Sequence, residues 1–88
     1  MSDSNGIRTE GGKLFAGQRL VLKGWESFMG WYWFGVEETD PGCWFGLVQG
    51  FEEEWGCFST DEMAPLIKSG QIWPIKACDL PHAGRRGQ

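Results

Sequence analysis

Two short runs of carboxylates are the residues of this chain whose type and spacing most resemble a reactive site. One run holds Glu37, Glu38 and Asp40, and the other is Glu52–Glu54. Paired carboxylates beside tryptophans are typical of the active sites of glycoside-cleaving enzymes. Both runs fall in predicted turns, where solvated acids are common, and a chain of 88 residues leaves little material for a deep cleft. We therefore predict no enzymatic activity and keep a small enzyme as a remote alternative.

Three cysteines and one histidine are the other side chains with reactive or metal-binding potential. A zinc site would need Cys43, Cys57, Cys78 and His82 together, yet their spacings contain no C-x-x-C knuckle of the kind that structural zinc sites show. His82 follows Pro81 in a predicted tail, so nothing orients it as a general base. We predict no catalytic residue, no metal ligand and no cofactor, and a zinc-binding domain stays a remote alternative.

Charge and aromatic residues are concentrated in the same part of the chain. The formal net charge is −4, but residues 24–62 carry nine acidic side chains and no Lys or Arg. That segment also holds eleven of the thirteen aromatic residues. Negative charge disfavours contact with phosphates, so we expect a protein partner with a basic surface and no direct nucleic-acid binding. The plainer alternative is that acids in turns keep an aromatic sheet soluble.

Strand patterns and turn residues predict a short antiparallel meander. Residues 18–23 alternate, with Leu20 and Leu22 on one face, and Trp25 and Phe28 are assigned to the connection that follows. The further predicted strands are Trp31–Glu37, Cys43–Gln49, Trp55–Phe58 and, at a sheet edge, Ile72–Ile75. Between the first two of these, Pro41-Gly42 has the chemistry of a tight turn.

One helix is predicted after the meander. Ser59-Thr60-Asp61-Glu62 fits a capping box, and Met63, Leu66 and Ile67 form an apolar stripe. Pro65 predicts a short or kinked helix that ends near residues 69–70. The predicted class is α+β, an antiparallel sheet of about four strands with one short helix packed on one face. It occupies residues 13–80, between a flexible N-terminal arm over 1–12 and a flexible C-terminal tail over 81–88.

The aromatic run in the middle of the chain must present large side chains to both faces of the sheet. Neighbours along a strand point in opposite directions, so Trp31 and Trp33 cannot share one core with Tyr32 and Phe34. Two alternatives follow. Either the terminal segments and Ile72–Ile75 cover the second face, or that face is a surface for binding or self-association.

A resemblance to a known family rests on four segments. The runs Trp44–Gly50 and Glu54–Ser59, with Glu52 and Glu62-Met63, resemble the motif F-G-x-V-x-G-x-E-x-E-L-G-Y-F-S-x-x-E-L. That motif belongs to a family of short proteins of unknown function carried on bacterial plasmids, phages and other mobile elements. Lys13-Leu14-Phe15 is similar to the family's opening K-L-F. Trp73-Pro74-Ile75 and Asp79-Leu80 are similar to its ending L-P-I-E-R-D-L.

The resemblance implies a mobile-element origin and an α+β fold, and it implies no catalytic residue. Glu52, Glu54 and Glu62 match acidic positions of the family motif.

The functional expectation is a non-enzymatic, acidic interaction protein of a phage or mobile element. It would bind a basic host or element protein, for example as an inhibitor of host defence or DNA processing. The expected partner-binding residues are Glu37, Glu38, Asp40, Trp44, Glu52, Glu53, Glu54 and Trp55. The alternative is a small-ligand module of the saccharide-binding type, with tryptophan platforms and carboxylate acceptors. No apolar run reaches the length of a membrane span and no signal peptide is evident, so we expect a cytoplasmic protein without a membrane partner.

Overall fold

Two antiparallel sheets and one α-helix make up the described part of the chain, residues 6–83 of a computed structural model. The first sheet contains β1 (Ile7–Glu10), β2 (Lys13–Ala16) and β3 (Arg19–Leu20). The second contains β4 (Lys23–Ser27), β5 (Tyr32–Asp40), β6 (Cys43–Gln49), β7 (Glu53–Ser59) and β8 (Ile72–Pro74). Helix α1 (Thr60–Lys68) links β7 to β8, and a 3₁₀-helix spans Leu80–His82.

The larger sheet has the strand order β7-β6-β5-β4-β8. Its four consecutive strands β4–β7 form a meander joined by short turns. The chain then crosses one face of the sheet through α1, and β8 pairs with β4 at the far edge. In the β5–β6 turn, Pro41 is followed by Gly42 at φ 83°, and a positive φ at this position requires glycine or a similarly permissive residue.

Both faces of the larger sheet are covered, as in the first of the two alternatives, except that Ile72–Pro74 extends the edge of the sheet instead of covering a face. One core lies under the small sheet, where Leu14, Val21, Phe34 and Leu47 are buried. The other lies under α1 and contains Trp25, Trp44, Met63 and Ile72. The protein is therefore a three-layer α+β arrangement in which a five-stranded sheet lies between a three-stranded sheet and a helix.

Helix α1 is capped and terminated as its sequence predicts. The Ser59 side chain accepts hydrogen bonds from the backbone amides of Asp61 and Glu62. These bonds satisfy two amides that a helix N-terminus leaves without intrahelical partners. Pro65 lies inside the nine-residue helix, whose C-cap is Ser69, and Gly70 follows at φ 88°. Of the predicted stripe, Met63 is buried, whereas Leu66 stays 40% exposed.

The N-terminal part of the chain differs from the prediction. Residues 7–10 of the predicted flexible arm form β1, which pairs with β2 from Ile7–Ala16 to Glu10–Lys13. Ile7 is 6% exposed and belongs to the core, and the rest of this polar segment is held by antiparallel pairing with β2. Residues 1–5 of the arm and 84–88 of the predicted tail lie outside the described residues, whereas His82 and Pro81 of that tail lie in the 3₁₀-helix.

The alternating segment over residues 18–23 is also corrected. It is split between two sheets, because β3 ends at Leu20 and β4 begins at Lys23. Val21 is the buried residue, at 4% exposure, whereas Leu22 is 57% exposed. Trp25, predicted in a connection, lies in β4 and is 3% exposed. These errors explain why one sheet of about four strands was predicted instead of two sheets with five and three.

Within residues 6–83, no helix is both long enough and apolar enough to cross a membrane.

A matched pair of glycines tests the packing of the larger sheet. Gly46 and Gly56 are directly paired across β6 and β7. A Cβ at Gly46 would lie 1.8 Å from the carbonyl oxygen of Phe34, whereas a Cβ at Gly56 would meet nothing within 4 Å. We expect Gly46→Ala to lower the free energy of unfolding by at least ~1–3 kcal/mol. Gly56→Ala should leave the urea midpoint unchanged or raised, and equal losses in both variants would contradict this packing.

Candidate functional site

The two acidic runs predicted as one surface lie at opposite ends of the larger sheet. Glu37, Glu38 and Asp40 lead into the β5–β6 turn, and Glu52–Glu54 form the β6–β7 turn and the start of β7. Strand β6 separates the two turns, and its seven residues span roughly 20 Å at ~3.3 Å per residue. The predicted surface therefore divides into two separate ends.

The first end is occupied by contacts within the protein. Arg19 lies 3.4 Å from the Glu37 carboxylate, and Glu38 accepts a hydrogen bond from the backbone amide of Gly42. The Gly42 carbonyl in turn accepts from the amide and the hydroxyl of Thr60, the first residue of α1. Glu38 therefore stabilises the β5–β6 turn, Glu37 pairs with Arg19 of β3, and the Gly42 carbonyl joins the turn to the start of the helix.

The two predicted tryptophans have different environments. Trp44 is 9% exposed and contacts Trp25 edge-on, with ring centroids 5.5 Å apart, so it belongs to the core and offers no surface to a partner. Trp55 is 37% exposed and stacks on Phe45 at 5.8 Å. Of the two, only Trp55 is accessible at the surface.

The second end of the sheet carries an apolar hollow that we call the end groove. It has a volume of about 270 Å³ and lies between the β4–β5 turn, the β6–β7 turn and the last turns of α1. Its principal lining side chains are apolar: Phe28, Met29, Trp31, Trp33, Phe51 and Leu66. Phe28, Met29 and Phe51 are 64%, 67% and 90% exposed. Large apolar side chains grouped in this way are unusual on the surface of a soluble monomer.

Local hydrogen bonds fix the two turns that carry these side chains. The buried Ser27 hydroxyl accepts from the amides of Met29 and Trp31, both at 3.2 Å, and Gly30 between them has φ 88°. These bonds close the β4–β5 turn, and Phe28 and Met29 lie on its solvent-exposed side. A Cβ at Gly50 would lie 2.5 Å from the Trp31 ring. The indole can occupy this position only because residue 50 has no side chain.

Carboxylates lie beside the end groove. An adjoining hollow of about 260 Å³ shares Trp31 and Phe51 with it and is also lined by Glu52 and Glu54. None of the residues that line either hollow is Lys or Arg. The site thus combines an apolar floor with a negatively charged rim.

The structure brings together some predicted residues and adds several that the sequence reasoning missed. Glu52 and Glu54 lie at the groove. Phe28, Met29, Phe51 and Leu66 were not predicted as site residues. The sequence could have indicated three of them as exposed. Phe28-Met29 and Phe51 are large apolar residues beside glycines in turns, where burial in a core is difficult.

The residues weighed as zinc ligands are dispersed. Cys43 is half-buried in β6, whereas Cys57 and Cys78 are exposed, and all three are free thiols. In the range 6–83, no group of three or more His, Cys, Asp or Glu side chains is arranged to hold a metal ion.

Comparisons with family models, curated proteins and solved structures found no match for this chain.

The different roles of the two predicted tryptophans can be measured. Trp44→Ala should lower the free energy of unfolding by about 3–5 kcal/mol, because it empties the core beneath α1. Trp55→Ala should cost clearly less, since more than a third of that side chain is already in water. Urea unfolding followed by far-ultraviolet circular dichroism compares them, and similar losses would show that Trp55 is equally part of the core.

Proposed function

We propose that the chain is a non-enzymatic protein-binding module whose end groove receives a basic amphipathic helix of a partner protein. The observation that carries this proposal is the convergence of exposed Phe28, Met29, Phe51 and Leu66 beside the carboxylates of Glu52 and Glu54.

The apolar floor supports a macromolecular partner. Phe51 is nearly as exposed as in an unfolded chain, and it makes an edge-on contact with Trp31 at 5.4 Å. Removing apolar surface from water contributes about 25 cal/mol per Å², so covering these rings would favour association. Aromatic side chains at the centre of an interface are the usual source of its binding energy.

A helix suits this groove better than an added strand. Phe28 and Met29 come from one turn, Phe51 from another and Leu66 from α1, so contacts would be made by side chains from three separate elements. Strand addition instead uses backbone groups along one sheet edge. An amphipathic helix presents an apolar stripe that can lie on such a floor without needing backbone hydrogen bonds.

The rim supports a partner with positive charge. Glu52 and Glu54 line the hollow beside the groove, and neither hollow is lined by Lys or Arg. Lys or Arg flanking the apolar stripe of a partner helix would meet these carboxylates. Complementary charge of this kind mainly speeds association and selects the partner.

The biological form of the proposal is an acidic protein of a phage or mobile element that occupies a basic region of a host or element protein. The resemblance of residues 13–80 to a mobile-element family supports this setting. Basic surfaces are typical of proteins that process nucleic acid, so blocking such a surface would make the chain an inhibitor of host defence or DNA processing.

A pair of synthetic peptides tests the charge of the partner. An amphipathic Leu/Lys helix should bind the full chain, as measured by fluorescence anisotropy, whereas a Leu/Glu helix with the same apolar stripe should bind at least ten-fold more weakly. The association rate of the Leu/Lys peptide should fall steeply with added salt, because salt screens the rim. Equal binding of both peptides, or no binding of either, would overturn the proposal.

Substitutions locate the contact. Phe51→Ser should weaken the Leu/Lys peptide at least ten-fold, which corresponds to ~1.4 kcal/mol or more, with little effect on folding because Phe51 is 90% exposed. Glu52→Lys with Glu54→Lys should slow association. The matched control is Glu37→Lys with Asp40→Lys, which changes the charge equally at the opposite end of the sheet and should leave binding at wild type. Loss in the control would place the peptide elsewhere.

A further inference from the structure

A row of polar residues crosses the face of the larger sheet opposite to α1. Strand pairing places Trp73 beside Glu26, Glu26 beside Tyr32, Tyr32 beside Gln49, and Gln49 beside Glu53. Directly paired residues share a face, so the five side chains form one line from the β8 edge to the β7 edge. The Tyr32 hydroxyl donates to Glu26 at 3.0 Å, and the Gln49 amide donates to Glu53. The row borders the apolar core, because Tyr32 stacks on Phe34 with ring centroids 5.7 Å apart and Gln49 is fully buried.

The β8 end of this row forms one wall of a second hollow, which we call the β8 groove. It has a volume of about 470 Å³, within the ~300–1,000 Å³ range of small-molecule sites. The row contributes Glu26, Tyr32 and Trp73, and the segment after β8 contributes Lys76, Asp79 and His82. Trp73 is 39% exposed, so part of its indole is open to a ligand.

The wall opposite the sheet is held in place from three directions. The amide of Ile75 donates to the carbonyl of Gly24 at 2.8 Å, which continues the β4–β8 pairing beyond the strand. Leu80 packs against the core beneath the small sheet. The Thr9 hydroxyl in β1 donates to the carbonyl of Pro81 at 2.7 Å. A groove with fixed walls loses less conformational entropy when it binds a ligand.

We propose that the β8 groove binds a neutral saccharide, with Trp73 as its platform and Glu26 and Asp79 as hydrogen-bond acceptors. A pyranose ring has an apolar C–H face that packs on an indole and a rim of hydroxyls that donate and accept. The hydrogen bond from Tyr32 orients the Glu26 carboxylate, and a carboxylate has several acceptor sites, so Glu26 can accept from a sugar hydroxyl as well. Such charge-assisted bonds are stronger than neutral ones.

The balance of charge disfavours anionic ligands, and the mixture of donors and acceptors suits a ligand rich in hydroxyl groups. Two carboxylates line the groove against the single ammonium of Lys76, so a phosphate or a nucleotide would meet net repulsion. Lys76 and His82 supply donors on the wall opposite Glu26, which suits a ligand whose groups both donate and accept. This site lies on the opposite face of the sheet from the end groove, because Ile72 and Trp73 are neighbours along β8 and point to different faces.

Nuclear magnetic resonance titrations test the proposal with named sugars. Cellobiose, maltose, lactose and diacetylchitobiose are added separately to the ¹⁵N-labelled full chain at up to tens of millimolar. At least one should shift the Trp73 indole signal in a saturable way and show saturation transfer. Glucose 6-phosphate should bind at least ten-fold more weakly than the best disaccharide. No saturable shift with any of the four sugars, or preferred binding of the phosphate, would overturn the proposal.

Variants separate this site from the end groove. Trp73→Ala should reduce sugar affinity at least ten-fold, Trp73→Phe should retain most of it, and Glu26→Gln should weaken it several-fold. Unchanged amide spectra outside the groove show that each variant is folded. Phe51→Ser should bind sugar as the wild type does, whereas Trp73→Ala should still bind the Leu/Lys peptide. Loss of sugar binding in Phe51→Ser, or its full retention in Trp73→Ala, would place the sugar outside the β8 groove.

Discussion

The structure depends on the burial of aromatic side chains on both faces of one sheet. Strand β5 begins with consecutive aromatic residues, so Phe34 points to one face and Trp33 to the other. Each ring buries roughly 150–250 Å² when covered, and leaving either face open would expose that area to water. The small N-terminal sheet covers one face and α1 covers the other. The three-layer arrangement is thus the consequence of an aromatic run that no single-sided sheet can accommodate.

Glycines on the larger sheet make room for the tryptophans. A Cβ at Gly35 would lie 2.4 Å from the Trp44 ring, and one at Gly50 would lie 2.5 Å from the Trp31 ring. An indole can therefore lie flat across the neighbouring strand, which keeps the layer beneath α1 thin enough for a nine-residue helix to cover. Glycine usually weakens a strand, but here its small size permits contacts that a longer side chain would block. The high contents of glycine and tryptophan are linked, because the glycines leave the space in which the indoles pack.

The central part of the fold could be predicted because its signals are local. Strand β6 was predicted with its observed bounds, and the cap at Ser59 and the edge position of β8 were also predicted from short motifs. The small sheet was not predicted because β1 is polar except for Ile7, although the Gly11-Gly12 turn that joins β1 to β2 is a local signal for a hairpin. Alternation over residues 18–23 indicated the wrong face because the chain changes sheets there. No short stretch of the sequence shows that the second face of the sheet is covered, or which segment covers it.

The candidate site shows the same limit of local reasoning. The two acidic runs are close in sequence, with β6 between them. Because β6 runs from one end of the sheet to the other, the turns before and after it lie at opposite ends. Glu38 therefore stabilises a turn at one end, while Glu54 borders an apolar groove at the other. The exposure of Leu66 depends on how far α1 reaches along the sheet, which no helical pattern specifies. The topology, which places each acidic run at one end of the sheet, decides which carboxylates border the end groove.

Strand β8 connects the two proposed sites through its alternation. Ile72 is 3% exposed and faces the helix side near the end groove, whereas its neighbour Trp73 faces the opposite side and lines the β8 groove. The strand is short and lies at the sheet edge, where it is anchored by pairing with β4 and by burial of Ile72 in the core beneath α1. Because both contacts already fix the strand, its alternation places one side chain in the core beneath α1 and the next in the wall of the β8 groove.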